Sequence, residues 1–594
     1  MDTSAREERR QDLDRRWKSL ISGVALSLAA FLPVMDPAAA SPTIINVAQG
    51  TPFSPWVRGQ CPYRWIRADE YDALWELTRG AMGRGVAGGL DADTYDWRDI
   101  NSGCWYGVTG GQFTTLEFLQ HARDYDGVPM ITANMFGGGY IDEDNAFVCV
   151  TDNPDGLAAD WIRYTNIILQ NYRQGDEGGM TGEDLRVYNS ISDWGGRPKL
   201  LAPDEEGVPR VEYWQIGNEP EVGDIPGHHI DHYLNPTDYR DRYKLMAPAM
   251  LAVDPTIKLG PCLTKPANAG YQWLSVLAAD PDVQIDFVSY HPYDGGLAQV
   301  WGDSEGMAMA LRNVRPKLLS QSAAARSIMS QAGRTNYELI ASEWNPVSWQ
   351  GSSQMQRSMA NAIGIVESCF TFAEDAMLAA TFWQEPQNKL GPSGAFTGLV
   401  NDMGDVLVTT SAQLGYAYSS SNFRIYVTRN AGDDSKVMIW GLNFDDLHPV
   451  TVNLGLALPC RVTSATLKRY GKTGGGTTLT TYTDMTWSQQ DMTTGFNTTD
   501  FPFTIQAAEI CLLVLEFAPT TQADFDRDGD VDQEDFGRFQ ICVTGPGIPV
   551  TDPDCLEANL DRDSGDIDVD QTDLNIFLGC ISGANVPADP HCAD

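Results

Sequence analysis

From Ile44 to Asp405 short apolar runs alternate with stretches in which apolar residues recur every three or four positions. The short runs predict strands at Ile44–Ala48, Met82–Ala87, Met130–Asn134, Val211–Ile216, Ile257–Gly260, Ile285–Tyr290, Tyr337–Ser342 and Ala379–Trp383. The longer periodic stretches predict helices at Asp69–Arg79, Thr114–Asp126, Ala158–Arg173, Asp238–Val253 and Gly270–Ala279. Two more follow at Ser304–Ala332, with a break expected at Pro316, and at Ser353–Ala376. Strands separated by helices imply a parallel sheet with crossover connections. Eight such strands over about 360 residues fit a (β/α)8 barrel with long loops.

Past Val406 the pattern changes. Phe423–Thr428, Lys436–Asn443, Val450–Leu454, Ala465–Arg469 and Ile510–Phe517 are short and strand-like, with Gly- and Thr-rich turns between them such as Gly474-Gly475-Gly476. This pattern predicts an antiparallel β-sandwich packed on the barrel. After Pro519 a polar joint, Thr520-Thr521-Gln522, leads into a very acidic unit with an internal repeat. The expected architecture is therefore a barrel over residues 41–405, a sandwich over 406–519 and a small helical module over 520–594.

Charge narrows the partners. Lys and Arg total 41 against 80 Asp and Glu, a net charge of -39. That balance argues against binding a phosphate backbone, which requires clustered cations. The first 40 residues are expected to be an export signal: basic residues from Arg6 to Lys18, an apolar run from Leu20 to Val34, then Ala38-Ala39-Ala40. The run is short for a membrane span and contains Pro33. A secreted or cell-surface protein is implied, and 11 cysteines suit an oxidising compartment. Cys542, Cys555, Cys580 and Cys592 crowd the last segment and suggest local crosslinks, whose connectivity the spacing does not give. Cys460 and Cys511 are a further candidate pair.

Two predicted strands end abruptly in carboxylates. Tyr213-Trp214-Gln215-Ile216-Gly217-Asn218-Glu219-Pro220 closes the fourth, and Glu338-Leu339-Ile340-Ala341-Ser342-Glu343-Trp344-Asn345 the seventh. Acids at barrel strand ends face the catalytic mouth. Glycoside hydrolysis with retention uses two carboxyls about 5 Å apart, one as acid/base and one as nucleophile.

On these residues the chain resembles the large retaining clan of (β/α)8 glycoside hydrolases, in which Asn-Glu-Pro ends the fourth strand and a second Glu ends the seventh. The resemblance implies that Glu219 is the acid/base and Glu343 the nucleophile. It implies that Asn218 bonds the sugar 2-hydroxyl, although a turn-forming asparagine has the same sequence signature. His291 and Tyr293, after the sixth strand, orient the nucleophile or touch sugar in such proteins; His291 is equally compatible with a satisfied core histidine. Trp383 at the end of the eighth strand would floor the first sugar subsite, and Asn134 after the third is a loop residue or a sugar ligand. Tyr95-Asp96-Trp97-Arg98, Thr114–Leu119 and Pro129–Asn134 are similar to the α-L-arabinofuranosidase-type family, but Ala87 stands where that family has Pro. The β-xylosidase-type family shares the barrel-plus-sandwich plan, so arabinofuranosidase or xylosidase action and endo-β-glycanase action both remain expectations. An open groove lined by Trp301, Trp344 and Trp349 would favour the endo reading. A non-catalytic carbohydrate-binding scaffold would be expected to lack one carboxylate, and both are present.

In the tail, Asp524, Asp526, Asp528, Asp530, Asp532 and Asp535 surround Gly529 in one short loop. Hard oxygens at such spacing suit Ca²⁺, and the glycine permits the sharp turn. A second copy begins at Asn559-Leu560-Asp561-Arg562-Asp563 and continues in Asp568–Leu574, with Asp570 or Asp573 as the closing ligand. The pair resembles a type I dockerin repeat, which implies bound Ca²⁺ and a cohesin-like protein partner.

Overall fold

The computed structural model describes residues 42–594 apart from 48, 62–67, 87–95, 99–112, 136–138, 142–146, 150–153, 192–193, 195, 223–232, 265–271, 294–295, 348–350, 385, 417–420, 458–461, 518–520, 527–528, 562–566, 585, 587, 590 and 594. The expected export signal, Ala87, Tyr95, Trp349, Cys460, Asp528 and Asp563 thus lie outside the described residues.

Eight parallel strands close into a barrel: β1 Gly59–Cys61, β2 Met82–Gly85, β3 Val128–Ala133, β4 Tyr213–Ile216, β5 Lys258–Leu263, β6 Phe287–Tyr290, β7 Glu338–Trp344 and β8 Ala379–Trp383. Seven of them coincide with predicted strands. The first does not. Thr43–Ile45 pairs in parallel with Val450–Leu456 of the sandwich, and Thr51–Pro52 pairs antiparallel with Val406–Thr410. Ile45 is buried in the sandwich core while Ile44 is exposed, so the apolar run reports a half-buried edge strand and not a barrel strand. The true β1 lies between β8 and β2. Its Gly59 is forced by close approach, because a Cβ there would stand 2.2 Å from the Met82 carbonyl oxygen. The N-terminal described strands therefore belong to the second domain, and the barrel starts with the turn Pro55–Arg58.

Helix boundaries also differ in places. Ser304–Gln331 is continuous through Pro316, so the predicted break does not occur; Leu311, Val314 and Leu318 anchor that stretch in the core. The predicted Ser353–Ala376 helix is two, Ser353–Arg357 and Met359–Glu374, because Ser358 turns out of the first and caps the second through the Asn361 amide at 3.2 Å. Helix Leu390–Asp402 escaped the periodicity reading. Its Gly394 faces the Tyr470 ring, where a Cβ would approach to 2.0 Å, and the Trp487 indole donates to the Gly394 carbonyl at 2.9 Å.

The sandwich consists of a seven-stranded sheet and a three-stranded sheet. It is tied to the barrel by a buried pair: Arg424 Nε bonds Glu367 of helix Met359–Glu374 at 3.1 Å, and the Tyr426 hydroxyl donates to the same carboxylate at 2.8 Å. Cys511 is a buried free thiol, so the expected bridge to Cys460 is not formed; its Sγ faces the Thr504 carbonyl of the opposing sheet.

The tail folds around Phe525, Phe536, Phe539 and Phe577. Helices Gln533–Cys542 and Gln571–Cys580 are related by matching bonds: the Val531 carbonyl accepts from Ser582 N at 3.0 Å, and the Val569 carbonyl from Thr544 N at 3.0 Å. Disulfides Cys542–Cys555 and Cys580–Cys592 close each half. Among the described residues no helix is long and apolar enough to cross a membrane.

Candidate active site

Residues that end apolar strands converge at one end of the barrel. Gly217 and Glu219, just after β4, both have positive φ, +76° and +49°. For a glutamate that conformation is uncommon, and its amide is held by the Cys262 carbonyl of β5 at 3.1 Å. Glu343 is the penultimate residue of β7 and is buried. One oxygen of Glu219, one of Glu343 and a ring nitrogen of His291 lie within 4.8 Å of one another.

Five predicted residues meet here. His291 is fully enclosed after β6; its Nδ1 bonds Glu219 and stands 3.5 Å from Glu343. The Tyr293 hydroxyl donates to Glu343 Oε2 at 2.9 Å. Asn218 is buried beside them, its Oδ1 accepting from Arg84 at 2.6 Å. Asn134 and Trp383 also sit at strand ends and are buried, though neither contacts the carboxylates among the described bonds. Trp344 does not line a groove: it is packed edge-on between Phe372 and Phe382 in the barrel wall.

The organiser of the site is a residue the strand pattern did not flag. Arg84 rises from β2 with no solvent exposure and forms a salt bridge with Glu343 Oε1. Its Nε bonds Gln215 at 2.5 Å and Thr132 at 3.2 Å, and Gln215 passes the chain on to Ser289 at 2.6 Å. A guanidinium cannot stay dry without anions and acceptors, so this inward polar layer and Glu343 are mutually required. A lone arginine inside Met82-Gly83-Arg84-Gly85-Val86 is the signal that could have found it. Cys262 and Glu221 were likewise missed. Cys262 Sγ lies 3.2 Å from His291 Nε2, and Glu221 accepts from the Thr264 hydroxyl at 2.7 Å.

The electrostatics divide the acids. Burial alone would push Glu343 up, but His291 and Arg84, with the Arg84 and Tyr293 hydrogen bonds, hold it below the usual carboxylate range. Burial opposes charging His291, yet Cys262, Glu343 and Glu219 press its pKa well above the ordinary imidazole value. Glu221 is raised to about 7, chiefly by burial, against the lowering effect of its Thr264 bonds. Glu219, His291 and Glu343 would by ligand type suit a divalent ion. Arg84, however, already supplies the positive charge at Glu343.

The tail offers a second kind of site. Asp524, Asp526 and Asp535 bring carboxylate oxygens within 4.8 Å of one another, as do Asp530, Asp532 and Asp535, and Asp568, Asp570 and Asp573. Asp524, Asp530, Asp535, Asp568 and Asp573 are buried. Clustered buried carboxylates need a compensating cation, and an all-oxygen donor set fits Ca²⁺. Asp573 bonds the Leu560 and Asp570 amides as Asp535 bonds those of Phe525 and Asp532, so Asp573 is the counterpart of Asp535, and Asp570, like Asp532, caps its helix. Asn559 and Asp561 enter the second loop, beside Leu560.

No protein-family model matches this sequence, and neither does any curated protein. Solved structures do share the fold. An α-L-arabinofuranosidase from Thermotoga maritima is similar over 80% of this chain and 99% of its own, at 15% identity and a TM-score of 0.57. A family 44 endoglucanase from Clostridium thermocellum matches over 80% and 99% at 14% identity and a TM-score of 0.52. A family 44 xyloglucanase from Paenibacillus polymyxa matches over 80% and 98% at 12% identity and a TM-score of 0.53. At these identities the likeness is one of architecture: a parallel eight-stranded barrel followed by a β-rich domain.

Proposed function

We propose that the chain is a retaining glycoside hydrolase with Glu343 as nucleophile and Glu219 as acid/base. The observation that carries this reading is the approach of their carboxylate oxygens to within 4.8 Å. Retention uses carboxyls about 5 Å apart, whereas inversion leaves a gap of roughly 6.5–9.5 Å for water. In the first step ionised Glu343 attacks the anomeric carbon, the glycosidic C–O bond breaks, and the leaving oxygen takes the Glu219 proton. In the second, Glu219 removes a proton from water, which displaces Glu343 from the sugar. Arg84 and Tyr293 hold Glu343 ionised and aimed, and Asn218, fixed by Arg84, presents its amide toward the sugar 2-hydroxyl.

The preferred substrates are arabinofuranosides or xylosides in polysaccharide or oligosaccharide. The burial of Trp344 removes one aromatic from the groove an endo-acting enzyme would need. An endo-β-glycanase is the alternative, supported by the family 44 endoglucanase fold likeness. The tail is proposed as a dockerin-like module in which Asp524, Asp526, Asp530, Asp535 and their second-loop counterparts hold Ca²⁺. When bound, the ion would neutralise these acids and lock each loop onto its helix. Exposed Ile541, Val543, Leu578 and Ile581 give the module apolar surface for a cohesin-like protein. The paired disulfides support a secreted or surface-anchored location.

The test is a screen of aryl glycosides and polysaccharides with the first-formed product anomer read by proton NMR. Net retention is expected, with Glu343→Ala inactive. An inverted product, or near-normal turnover by Glu343→Ala, would overturn the assignment.

A further inference from the structure

The turn that carries Glu219 is held by more than its own backbone. Glu219 N bonds the Cys262 carbonyl at 3.1 Å, on one side of Pro220. On the other side, Glu221 Oε1 accepts from both the amide and the hydroxyl of Thr264, the latter at 2.7 Å. Two consecutive carbonyls of the same segment then receive β6: His291 N bonds Leu263 O at 2.9 Å and Thr264 O at 3.1 Å. The Pro220 carbonyl accepts from Leu234 N at 2.9 Å, and Val222 N closes the turn on the Glu219 carbonyl at 2.9 Å. Thr264 thus links Glu221, two residues past Glu219, to His291, which bonds Glu219.

Glu221 is an odd choice for a plain tether. Its second oxygen, Oε2, is shielded from solvent and has no hydrogen-bond partner among the described residues. Burying a carboxyl with half its acceptors unused costs free energy, and a purely structural link could be made by asparagine or serine. Burial pushes its pKa to about 7, with nearby Glu219 adding to the rise, so the group is strained electrostatically as well. Such costs concentrate where geometry must be kept for chemistry.

We propose that Glu221 is a positioning residue for the acid/base: by clamping Thr264 it fixes the left-handed turn that aims Glu219 at the leaving oxygen. The inference rests on the reading of Glu219 as the acid/base. A proton donor misplaced by about 1 Å loses on the order of 100-fold in rate. In the first step, which kcat/KM reports, that loss matters only where the leaving group needs a proton. Glutamine at 221 keeps an oxygen for both Thr264 donors, whereas alanine keeps none.

The experiment compares the full chain with Glu221→Ala, Glu221→Gln, Thr264→Val and Glu219→Ala. Each is assayed on an alkyl or oligosaccharide glycoside with a poor leaving group, on the matching 2,4-dinitrophenyl glycoside, and on the latter with azide added. Glu221→Ala should lose roughly 10–100-fold in kcat/KM, which reports the glycosylation step, on the poor leaving group and less than about three-fold on the dinitrophenyl glycoside. Glu221→Gln should recover most of that loss. Thr264→Val, which keeps the amide donor and the fold, should show the same selective loss at smaller size. Equal losses on both substrates, or no loss on either, would overturn the positioning role. The Glu219→Ala benchmark separates the two readings. If it shows neither leaving-group selectivity nor azide rescue, the acid/base assignment itself fails. If it shows both while Glu221→Ala and Thr264→Val show neither, only the positioning role fails.

Discussion

Arg84→Met deletes the charge from the barrel floor while keeping most of the side-chain volume. In the native site Arg84 is wholly buried and binds Glu343, Asn218, Gln215 and Thr132. Its loss leaves Glu343 a buried carboxylate facing His291 and Tyr293, and leaves the Asn218 and Gln215 oxygens without their guanidinium donor. Removing one member of a buried pair costs about 3–5 kcal/mol, mostly as the penalty of the orphaned partner. That penalty divides between lower stability and a higher proton affinity of Glu343. Its direction follows from the native state. Against burial, His291 and Arg84 depress Glu343, so its stabilising contribution is present above the unfolded carboxyl value and is lost as pH falls through the folded one. Without Arg84 the depression shrinks, and a nucleophile that must be ionised fails at higher pH than before. A displacement of roughly one to two pH units accounts for about 1.4–3 kcal/mol, and the remainder should appear as a lower melting temperature. The assay is the pH profile of kcat/KM on an aryl glycoside, whose acidic limb should move upward. Arg84→Lys keeps a charge but loses the fork that holds Glu343 and Asn218 together, so it should lower kcat with a smaller displacement. If the acidic limb of Arg84→Met stays in place while kcat falls, Arg84 is not what keeps Glu343 ionised.

Glu221→Gln should also flatten the pH dependence of stability. A carboxyl raised to about 7 is protonated in the fold while ionised in the unfolded chain, so native stability falls as pH rises from about 4.5 to 7, by on the order of 2–3 kcal/mol. Melting curves across that window should converge at low pH and show the variant relatively more stable near neutrality; parallel curves would contradict the shift. Glu367→Ala should cost about 3–5 kcal/mol by stranding buried Arg424 at the barrel–sandwich seam, and a melting temperature equal to the parent's would show that the pair does not hold the domains. Gly394→Ala puts a Cβ 2.0 Å from the Tyr470 ring and should destabilise by roughly 1–3 kcal/mol with kcat retained in the cold, which thermal melting and low-temperature assays check together. Asp535→Ala removes an acceptor for the Phe525, Asp526 and Asp532 amides and a buried carboxylate of the first loop. Titration calorimetry should show calcium stoichiometry falling from roughly two to one, and an unchanged stoichiometry would remove Asp535 from the ligands.

What the chain discloses without a structure depends on whether a residue's surroundings are local. Glu219 and Glu343 are legible because an apolar strand that stops at an acid marks a barrel strand end, and both fall on strands whose count is correct. That count survives an error in the first strand: the run Ile44–Ala48 predicts a barrel strand but the structure forms Thr43–Ile45 in the sandwich, while the unrecognised Gly59–Cys61 restores the number. Alternating burial reports that a strand has one dry face, not which domain supplies it. Gly59-Gln60-Cys61 lacks the apolar signature because its neighbours on both sides leave no room for a Cβ at Gly59. Trp344 was legible and misread. Successive strand residues face opposite sides, so if Glu343 faces the lumen its neighbour must face the helices, where Phe372 and Phe382 hold it. The same rule applied to β2 turns Arg84 inward, since Gly83 abuts Trp75 and Gly85 abuts Phe118 on the outer side. An inward arginine demands an inward acid. With the outer face of β2 identified by those contacts, period-two reasoning joins Arg84 to Glu343. Glu221 stays hidden under that rule, because its partner Thr264 lies past the end of β5 and only the closed barrel brings the two turns together.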